Sequence, residues 1–253
     1  MDDGATWLPT HTGQLLGRAA AAARESLGSD LVGVVLVGAA MHPERASRAQ
    51  RPEVLLVVEQ LPLASLRALA RTLAPFVDKG LRPRVVTTLD IERGADVFAL
   101  ELAEWKARHW LIEGEDPFGA VEIQPDDLRR TIEFKLRGLG RRLRNRVLVG
   151  TAPSGRDQGA RQAVVDALDA LAVVAHHTLS WLGKDAPLLD ADVVGALGAA
   201  LDVDAGPVEA LLEQMRAKGP SRDPVQALDA ILPFVDAVTT AVDALESRTS
   251  GER

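Results

Sequence analysis

Four arginines in the middle of the chain have the side chains and the spacing of an anion-binding surface. If residues 125–149 form a helix with 3.6 residues per turn, the four point within roughly 60° of one another. They are Arg130, Arg137, Arg141 and Arg144. Guanidinium groups donate paired hydrogen bonds to phosphates and carboxylates. The cluster therefore predicts a binding site for a phosphate-bearing or acidic partner, with a solvated face or intramolecular ion pairs as the alternative.

The distribution of charge keeps both alternatives open. The net charge of −7 conceals a basic segment at residues 124–150, which carries eight basic and three acidic side chains. Residues 151–253 carry eight basic and sixteen acidic side chains, so they are able to neutralise that segment.

A protein that coats nucleic acid is basic over most of its surface, and only Phe134 lies among these arginines to stack on a base. The pattern therefore disfavours nucleic acid as a partner.

Other chemistry has little support in the sequence. The chain has no cysteine, which excludes disulfides and thiolate metal sites. Its five histidines are dispersed, and the adjacent His176 and His177 point about 100° apart on a helix, which disfavours a shared metal ion. Neither a nucleophile elbow nor a phosphate-binding glycine loop is present. We therefore predict no bound metal and no cofactor.

The apolar patterns predict an α/β unit followed by an all-helical unit. Continuous apolar runs at residues 32–38 and 54–58 are typical of strands buried on both faces. Around them the patterns predict helices at 12–27, 62–79 and 97–112 and a short strand at 84–88, which together make a small mixed sheet with flanking helices. Beyond the sheet, helical periodicity alone remains, at about residues 125–149, 160–182, 190–201, 207–218 and 224–247. The fold class is therefore α/β (α+β) over residues 1–124, followed by an all-α helical bundle over residues 125–253.

The N-terminus and the apolar runs bear on location and assembly. The acidic residues 1–4 lead into no apolar segment of the kind found in signal peptides. The longest uninterrupted apolar run, at residues 31–40, is too short to cross a bilayer. We therefore expect a cytoplasmic protein without a membrane partner. The apolar stripes of the helical half are either buried within it or pair two subunits, so a homodimer is a further hypothesis.

Three segments of the first half resemble the nucleotidyltransferase superfamily of the DNA polymerase β and kanamycin nucleotidyltransferase type. Leu36-Val-Gly-Ala-Ala40 resembles the strand end and tight turn that approach the nucleotide phosphates, with Gly38 as the turn glycine. Pro52-Glu-Val-Leu-Leu-Val-Val58 resembles the next strand, which carries Asp-x-Asp in that family. Leu111-Ile-Glu-Gly-Glu-Asp-Pro117 resembles the Gly-x-Asp-Pro turn before the helical domain of many bacterial members. The resemblance implies a nucleotidyltransferase-like fold and, in active members, Mg²⁺ and a nucleoside triphosphate.

The acidic residues that bind metal in that family are largely replaced here. The resemblance places the first acid at Glu53, but it places Leu55 at the second position and Ala39 at the serine of the turn. Nucleotidyl transfer needs two divalent ions held by several carboxylates, because charge develops on the attacking and leaving oxygens. We therefore predict a pseudoenzyme with a binding or regulatory role, in which Glu53 and Gly38 are the residues that remain from the site.

Two alternatives stay open. The first is an active metal-dependent nucleotidyltransferase that moves a nucleoside monophosphate to a small molecule or protein. Its metal site would combine Glu53 with more distant acids such as Asp90 or Asp96. The second is a structural subunit that assembles into an oligomer through the helical half.

Overall fold

The chain divides into two compact units, an N-terminal unit of residues 1–124 and a C-terminal unit of residues 125–253. A computed structural model describes residues 8–46, 51–150, 157–219 and 223–250. The strands lie in the N-terminal unit, and helices are the only regular secondary structure among the described residues of the C-terminal unit.

A four-stranded mixed sheet forms the centre of the described N-terminal unit. Its order is β3-β2-β1-β4, with β1 antiparallel to both β2 and β4, and with β2 parallel to β3. The strands are β1 (Leu31–Val37), β2 (Glu53–Val58), β3 (Arg82–Thr87) and β4 (Trp110–Gly114). The helices are α1 (Thr10–Leu27), α2 (Pro43–Ala46), α3 (Leu63–Val77), α4 (Thr88–Arg93) and α5 (Ala99–Ala107). The predicted small mixed sheet with flanking helices is confirmed.

Alternating side chains of the central strands pack into two separate cores, one on each face of the sheet. On β2, Val54 and Leu56 pack into a core that α1 and α3 cover. Leu55 and Val57 point the other way, into a core with Trp105 of α5. Because side chains alternate along a strand, Glu53 lies on the same face as Leu55 and α5. The first residue of β2 is therefore placed beside that helix.

The fourth strand corrects the sequence prediction of one continuous helix at residues 97–112. Helix α5 ends at Ala107, and Trp110–Gly114 pairs with β1 instead. Trp110 packs against the core beneath α1 and α3, whereas Leu111 packs against the opposite core. A strand gives these neighbours opposite directions, and β1 provides the backbone partners.

The predicted helices of the C-terminal unit are confirmed, with ends that differ by a few residues. They are α6 (Pro125–Gly150), α7 (Asp157–Trp181), α8 (Asp190–Leu201), α9 (Gly206–Lys218) and α10 (Pro224–Ser250). The apolar stripe of α6 faces the interior, where Ile132, Leu136 and Leu143 are buried. Helix α6 packs between α7 and α10.

Two segments of the C-terminal unit have the length and composition of membrane-spanning helices. They are Ala160–Trp181 and Pro224–Leu245, each of 22 residues. The sequence analysis predicted both helices, but it looked for membrane spans only among uninterrupted apolar runs, and a few charged residues interrupt these two segments. About half of each apolar window, 56% and 44%, is buried inside the protein, as in the core helices of a bundle.

Gly114 is the position in β4 where a side chain should be least tolerated. Its φ is +85°, and an added Cβ would lie 2.1 Å from the carbonyl oxygen of Val32 on β1. Because both the backbone conformation and the contact are unfavourable, we expect Gly114→Ala to lower the free energy of unfolding by about 2 kcal/mol or more. Urea denaturation measures the change. The control is Gly119→Ala, where an added Cβ meets nothing within 4 Å; equal midpoints for the two variants would contradict the prediction.

Candidate functional site

The candidate site lies at the edge of the sheet where β1 ends and where β2 and β3 begin. Val37 pairs with Glu53, and Glu53 pairs with Arg82. Gly38 then leaves the sheet in a turn with φ +73°, a conformation that favours glycine. A Cβ placed on Gly38 would lie 3.8 Å from both Cβ and Oε2 of Glu53. The two residues that the resemblance singled out are therefore neighbours.

One guanidinium group bridges two carboxylates at this edge. Nη1 of Arg84 donates to Oε1 of Glu53 at 2.7 Å and to Oε1 of Glu101 at 2.7 Å. The register pairs Arg84 with Leu55, so its side chain lies on the same face as Glu53 and α5. The guanidinium also lies over the ring of Trp105, with its central carbon 5.0 Å from the ring centroid. We call Glu53, Arg84 and Glu101 the arginine bridge.

The arginine bridge keeps its cation firmly charged. Partial burial lowers the pKa of Arg84, but the hydrogen bonds and charges of Glu101 and Glu53 outweigh it and raise the pKa above its usual value. The side chain of Glu53 is only 19% exposed, so water solvates its carboxylate poorly and does not substitute for Arg84. The carboxylate of Glu53 therefore has a permanent counter-charge from within the chain.

These residues do not fit the two-metal site that active nucleotidyltransferases need. Leu55, at the position of the second acid, is fully buried in the apolar core. The two carboxylates that do converge, Glu53 and Glu101, converge on a guanidinium group. Across the described residues, no group of three or more His, Asp or Glu side chains is arranged to hold a metal ion. Two carboxylates with an arginine between them are a poor ligand set for Mg²⁺, which requires several oxygen ligands in near-octahedral order.

Asp90, one of the acids considered for an active site, is engaged elsewhere. Its backbone N–H donates to Oγ1 of Thr87 at 3.0 Å, and the Thr87 N–H donates to its Oδ2 at 2.9 Å. Hydrogen bonds from the Thr87 backbone and side chain to the carboxylate lower the pKa of Asp90, and the reciprocal pair of residues caps helix α4. Glu53 pairs with the first residue of β3, whereas Asp90 follows its last, so roughly 17 Å of strand separates the two acids. Asp96 is exposed in the segment between α4 and α5.

A second polar network, which the sequence analysis missed, lies just after the Gly38 turn. Nε2 of the buried His42 is 2.6 Å from Oε1 of Glu104, and Nη1 of Arg108 is 3.2 Å from its Nδ1. Because the arginine N–H donates to Nδ1, Nε2 carries the proton and donates to Glu104. We call His42, Glu104 and Arg108 the His42 network. It ties the segment after Gly38 to α5, the helix that also supplies Glu101 to the arginine bridge.

The balance of charge at this edge is positive. The residues of the two networks and their charged neighbours carry four arginines and three glutamates. They are Arg45, Arg82, Arg84, Arg108, Glu53, Glu101 and Glu104. A site built to hold two divalent ions would carry excess negative charge before the ions bind. This edge is therefore better suited to an anion than to a cation.

The arginines predicted to bind an acidic partner mostly pair with acids of their own unit. Arg137 donates to Glu133 at 2.7 Å and to Asp243 of α10 at 3.0 Å. Arg144 donates to both carboxylate oxygens of Asp236, at 2.5 Å and 2.6 Å. Arg130 pairs with Asp127, and Arg141 is exposed to solvent. The intramolecular alternative thus describes three of the four, and a ligand at this surface remains a prediction.

Comparison with known proteins defines the class of the fold. The sheet, the Gly38 turn and the helical C-terminal unit form a nucleotidyltransferase-like fold, as the resemblance predicted. A similar solved structure is spectinomycin adenyltransferase AAD(9) from Enterococcus faecialis, determined with ATP and spectinomycin. Its TM-score is 0.57 at 10% sequence identity, over 91% of this chain and 98% of that chain.

A second structure, a nucleotidyltransferase-like protein from Exiguobacterium sibiricum, has a TM-score of 0.31 at 11% identity, over 91% of this chain and 75% of that chain. No family model matches the sequence, and no curated protein matches it. At this level of identity the similarity to AAD(9) establishes the fold and not the activity.

The His42 network makes stability depend on pH. Burial lowers the pKa of His42, and the charge of Arg45 adds to this, despite the hydrogen bond with Glu104. The unfolded chain, in which a histidine has a pKa of about 6.5, then binds a proton more readily than the folded protein. The free energy of unfolding should therefore fall as the pH drops below about 6.5. We expect His42→Gln to reduce this loss between about pH 7 and pH 5, as measured by urea midpoints.

The matched control for this test is His11→Gln, which removes an exposed histidine at the start of α1. It should keep the pH dependence of the wild type. A His42→Gln variant with an unchanged pH dependence would show that His42 is not the group responsible.

Proposed function

We propose that this protein is a catalytically degenerate member of the nucleotidyltransferase fold class with a binding or regulatory role. The observation that carries the proposal is the arginine bridge. Arg84 donates a hydrogen bond to one oxygen atom of Glu53 and to one of Glu101, the two acids that converge on this face of the sheet. The guanidinium group of Arg84 thus lies between the carboxylates, where a divalent ion would have to bind.

Competition between the guanidinium and a metal ion favours the guanidinium. A hydrogen bond to a charged group contributes about 1.5–3 kcal/mol, and Arg84 makes two of them. It also contacts the face of Trp105, which a hydrated ion does not replace. Mg²⁺ gives up its water reluctantly, and two carboxylates offer it too few ligands. A metal ion would therefore have to displace Arg84, which binds the two carboxylates more strongly than the ion would.

The partner that we propose is phosphate-bearing or acidic. Arg82 is the first residue of β3 and pairs with Glu53 in the sheet. Its side chain is 68% exposed, and its Nη1 lies 4.0 Å from Oε2 of Glu53, which is long for an ion pair. Its charge is therefore available to an anion that approaches the Gly38 turn. ATP is present in the structure of AAD(9), which supports a nucleotide as one anion to test at this edge.

The metal competition can be tested by removing the internal cation. We expect Arg84→Met to free Glu53 and Glu101 and to strengthen Mn²⁺ binding by about tenfold or more over the wild type, because carboxylates suit that ion. Electron paramagnetic resonance of free Mn²⁺ measures the binding. Adding Glu53→Gln to the Arg84→Met variant should abolish the gain.

Arg82→Met is the matched control, because it removes the same charge from the same strand but leaves the arginine bridge in place. It should bind Mn²⁺ no better than the wild type. An equal gain in Arg82→Met would mean that net charge alone governs metal binding, which would contradict the role given to Arg84.

Loss of catalysis has its own test. The wild-type protein, given Mg²⁺ and each of the common nucleoside triphosphates, should release no pyrophosphate above the level of a reaction without protein. The reason is that Arg84 pairs with Glu53 and that Leu55 cannot replace the second acid. Turnover that Glu53→Gln abolishes would overturn the proposal in favour of an active nucleotidyltransferase.

A further inference from the structure

Part of the basic charge that remains available on α6 lies on the side of the helix that faces α7. Arg129, Arg130, Arg137 and Arg144 pair with acidic residues. In contrast, Arg142 and Arg146 are exposed, and no ion pair between described residues involves either of them. Acidic residues of α6 and α10 thus neutralise these four arginines, whereas Arg142 and Arg146 keep their charge.

Arg142 and Arg146 line a cleft of about 350 Å³ between α6 and α7. They are four residues apart, so they project from the same side of the helix one turn apart. The apolar walls are Leu139, Leu143, Ala163 and Ala167, and the remaining polar residues are Asn145 and Asp166. The cleft therefore combines an apolar floor with a charged rim, as small-molecule sites commonly do.

Two local features shape the charged rim. Gly138 has no side chain, and Nη1 of Arg142 lies 3.4 Å from the point that its Cβ would occupy, so the guanidinium folds back along α6. Asp166 on α7 already accepts a hydrogen bond from Nε2 of Gln162 at 2.8 Å. The two arginines and the one aspartate that line the cleft leave a charge of +1, which favours an anion.

We infer that this cleft binds a small organic phosphate. The phosphate would accept hydrogen bonds from Arg142 and Arg146, since two guanidinium groups one turn apart can share its oxygens. The organic part would lie against Leu139 and Leu143, with Asn145 and Asp166 available to its polar groups. The cleft volume lies at the lower end of the range for small-molecule sites, about 300–1000 Å³, which suits a ligand of nucleotide size.

This inference is independent of the proposed function, because every lining residue belongs to the C-terminal unit. It also differs from the original prediction for α6, which placed a ligand on Arg130, Arg137, Arg141 and Arg144. The structure pairs three of those four arginines with acidic residues and places two others, Arg142 and Arg146, beside a cleft.

The test is calorimetry of the full chain with ADP, inorganic pyrophosphate and adenosine. We expect saturable binding of ADP, binding of pyrophosphate that is about tenfold weaker because it lacks a group for the apolar walls, and no binding of adenosine. Arg142→Gln combined with Arg146→Gln should weaken ADP binding by about tenfold or more.

The matched control is Lys135→Gln combined with Lys218→Gln, which removes two exposed positive charges from the same unit. It should keep the affinity for ADP within about twofold. Thermal unfolding of both double variants checks that they remain folded.

Four results would overturn the inference. They are the absence of saturable ADP binding, an equal loss in both double variants, a loss in Arg82→Met that matches the loss in the Arg142/Arg146 variant, and tighter binding of single-stranded RNA than of ADP through Arg142 and Arg146. The third result would place the nucleotide at the edge of the sheet, which separates this inference from the proposed function.

Discussion

The ion pair between Glu53 and Arg84 is the constraint on which the N-terminal site depends. It joins two neighbouring strands, so the sheet fixes both backbones, and helix α5 closes the arrangement with Glu101 and Trp105. Leu55 continues the same face into the apolar core, where a carboxylate would be costly without a partner. The acid that begins β2 is therefore tolerated because the next strand brings a cation to it. The adjoining His42 network extends the same logic, since each of its buried polar groups has a partner on another element.

The helical unit uses arginines in the same way, as internal partners for acids. Arg137 and Arg144 hold α10 against α6 through two aspartates, and Gly140 lies between them. A Cβ on Gly140 would lie 3.5 Å from Cγ1 of Val235, so the two helices approach closely at this point. Part of the charge of the basic segment is thus balanced by two aspartates of the acidic half. An arginine cluster in a sequence can therefore serve to pair with acidic residues of the same protein and need not indicate a binding site for a ligand.

The secondary structure could be predicted from the sequence where one hydrophobic repeat runs through a segment. It could not be predicted where an element depends on contacts with distant residues. The helices beyond residue 124 follow from a strong 3.6-residue pattern, and the buried strands follow from continuous apolar runs. Strand β4 was missed because Trp110–Gly114 is short and directly follows a helix, so its pairing with β1 has no local signal. At the candidate site, Gly38 and Glu53 were found through a motif. The bridge to Glu101 and the pairing of His42 with Glu104, 62 residues away, depend on how α5 packs, which no spacing in the sequence reveals.

Strand β3 has one further consequence, which concerns self-association. It is the outer strand on one side of the described sheet, and a free strand edge is a template for pairing with another chain. This strand begins Arg82-Pro83-Arg84. Proline has no N–H to offer an added strand, and the exposed charge of Arg82 disfavours pairing with an identical strand. The strand that brings Arg84 to Glu53 therefore also disfavours aggregation through the sheet, so acidic residues placed at its start would have to preserve solubility as well as supply metal ligands.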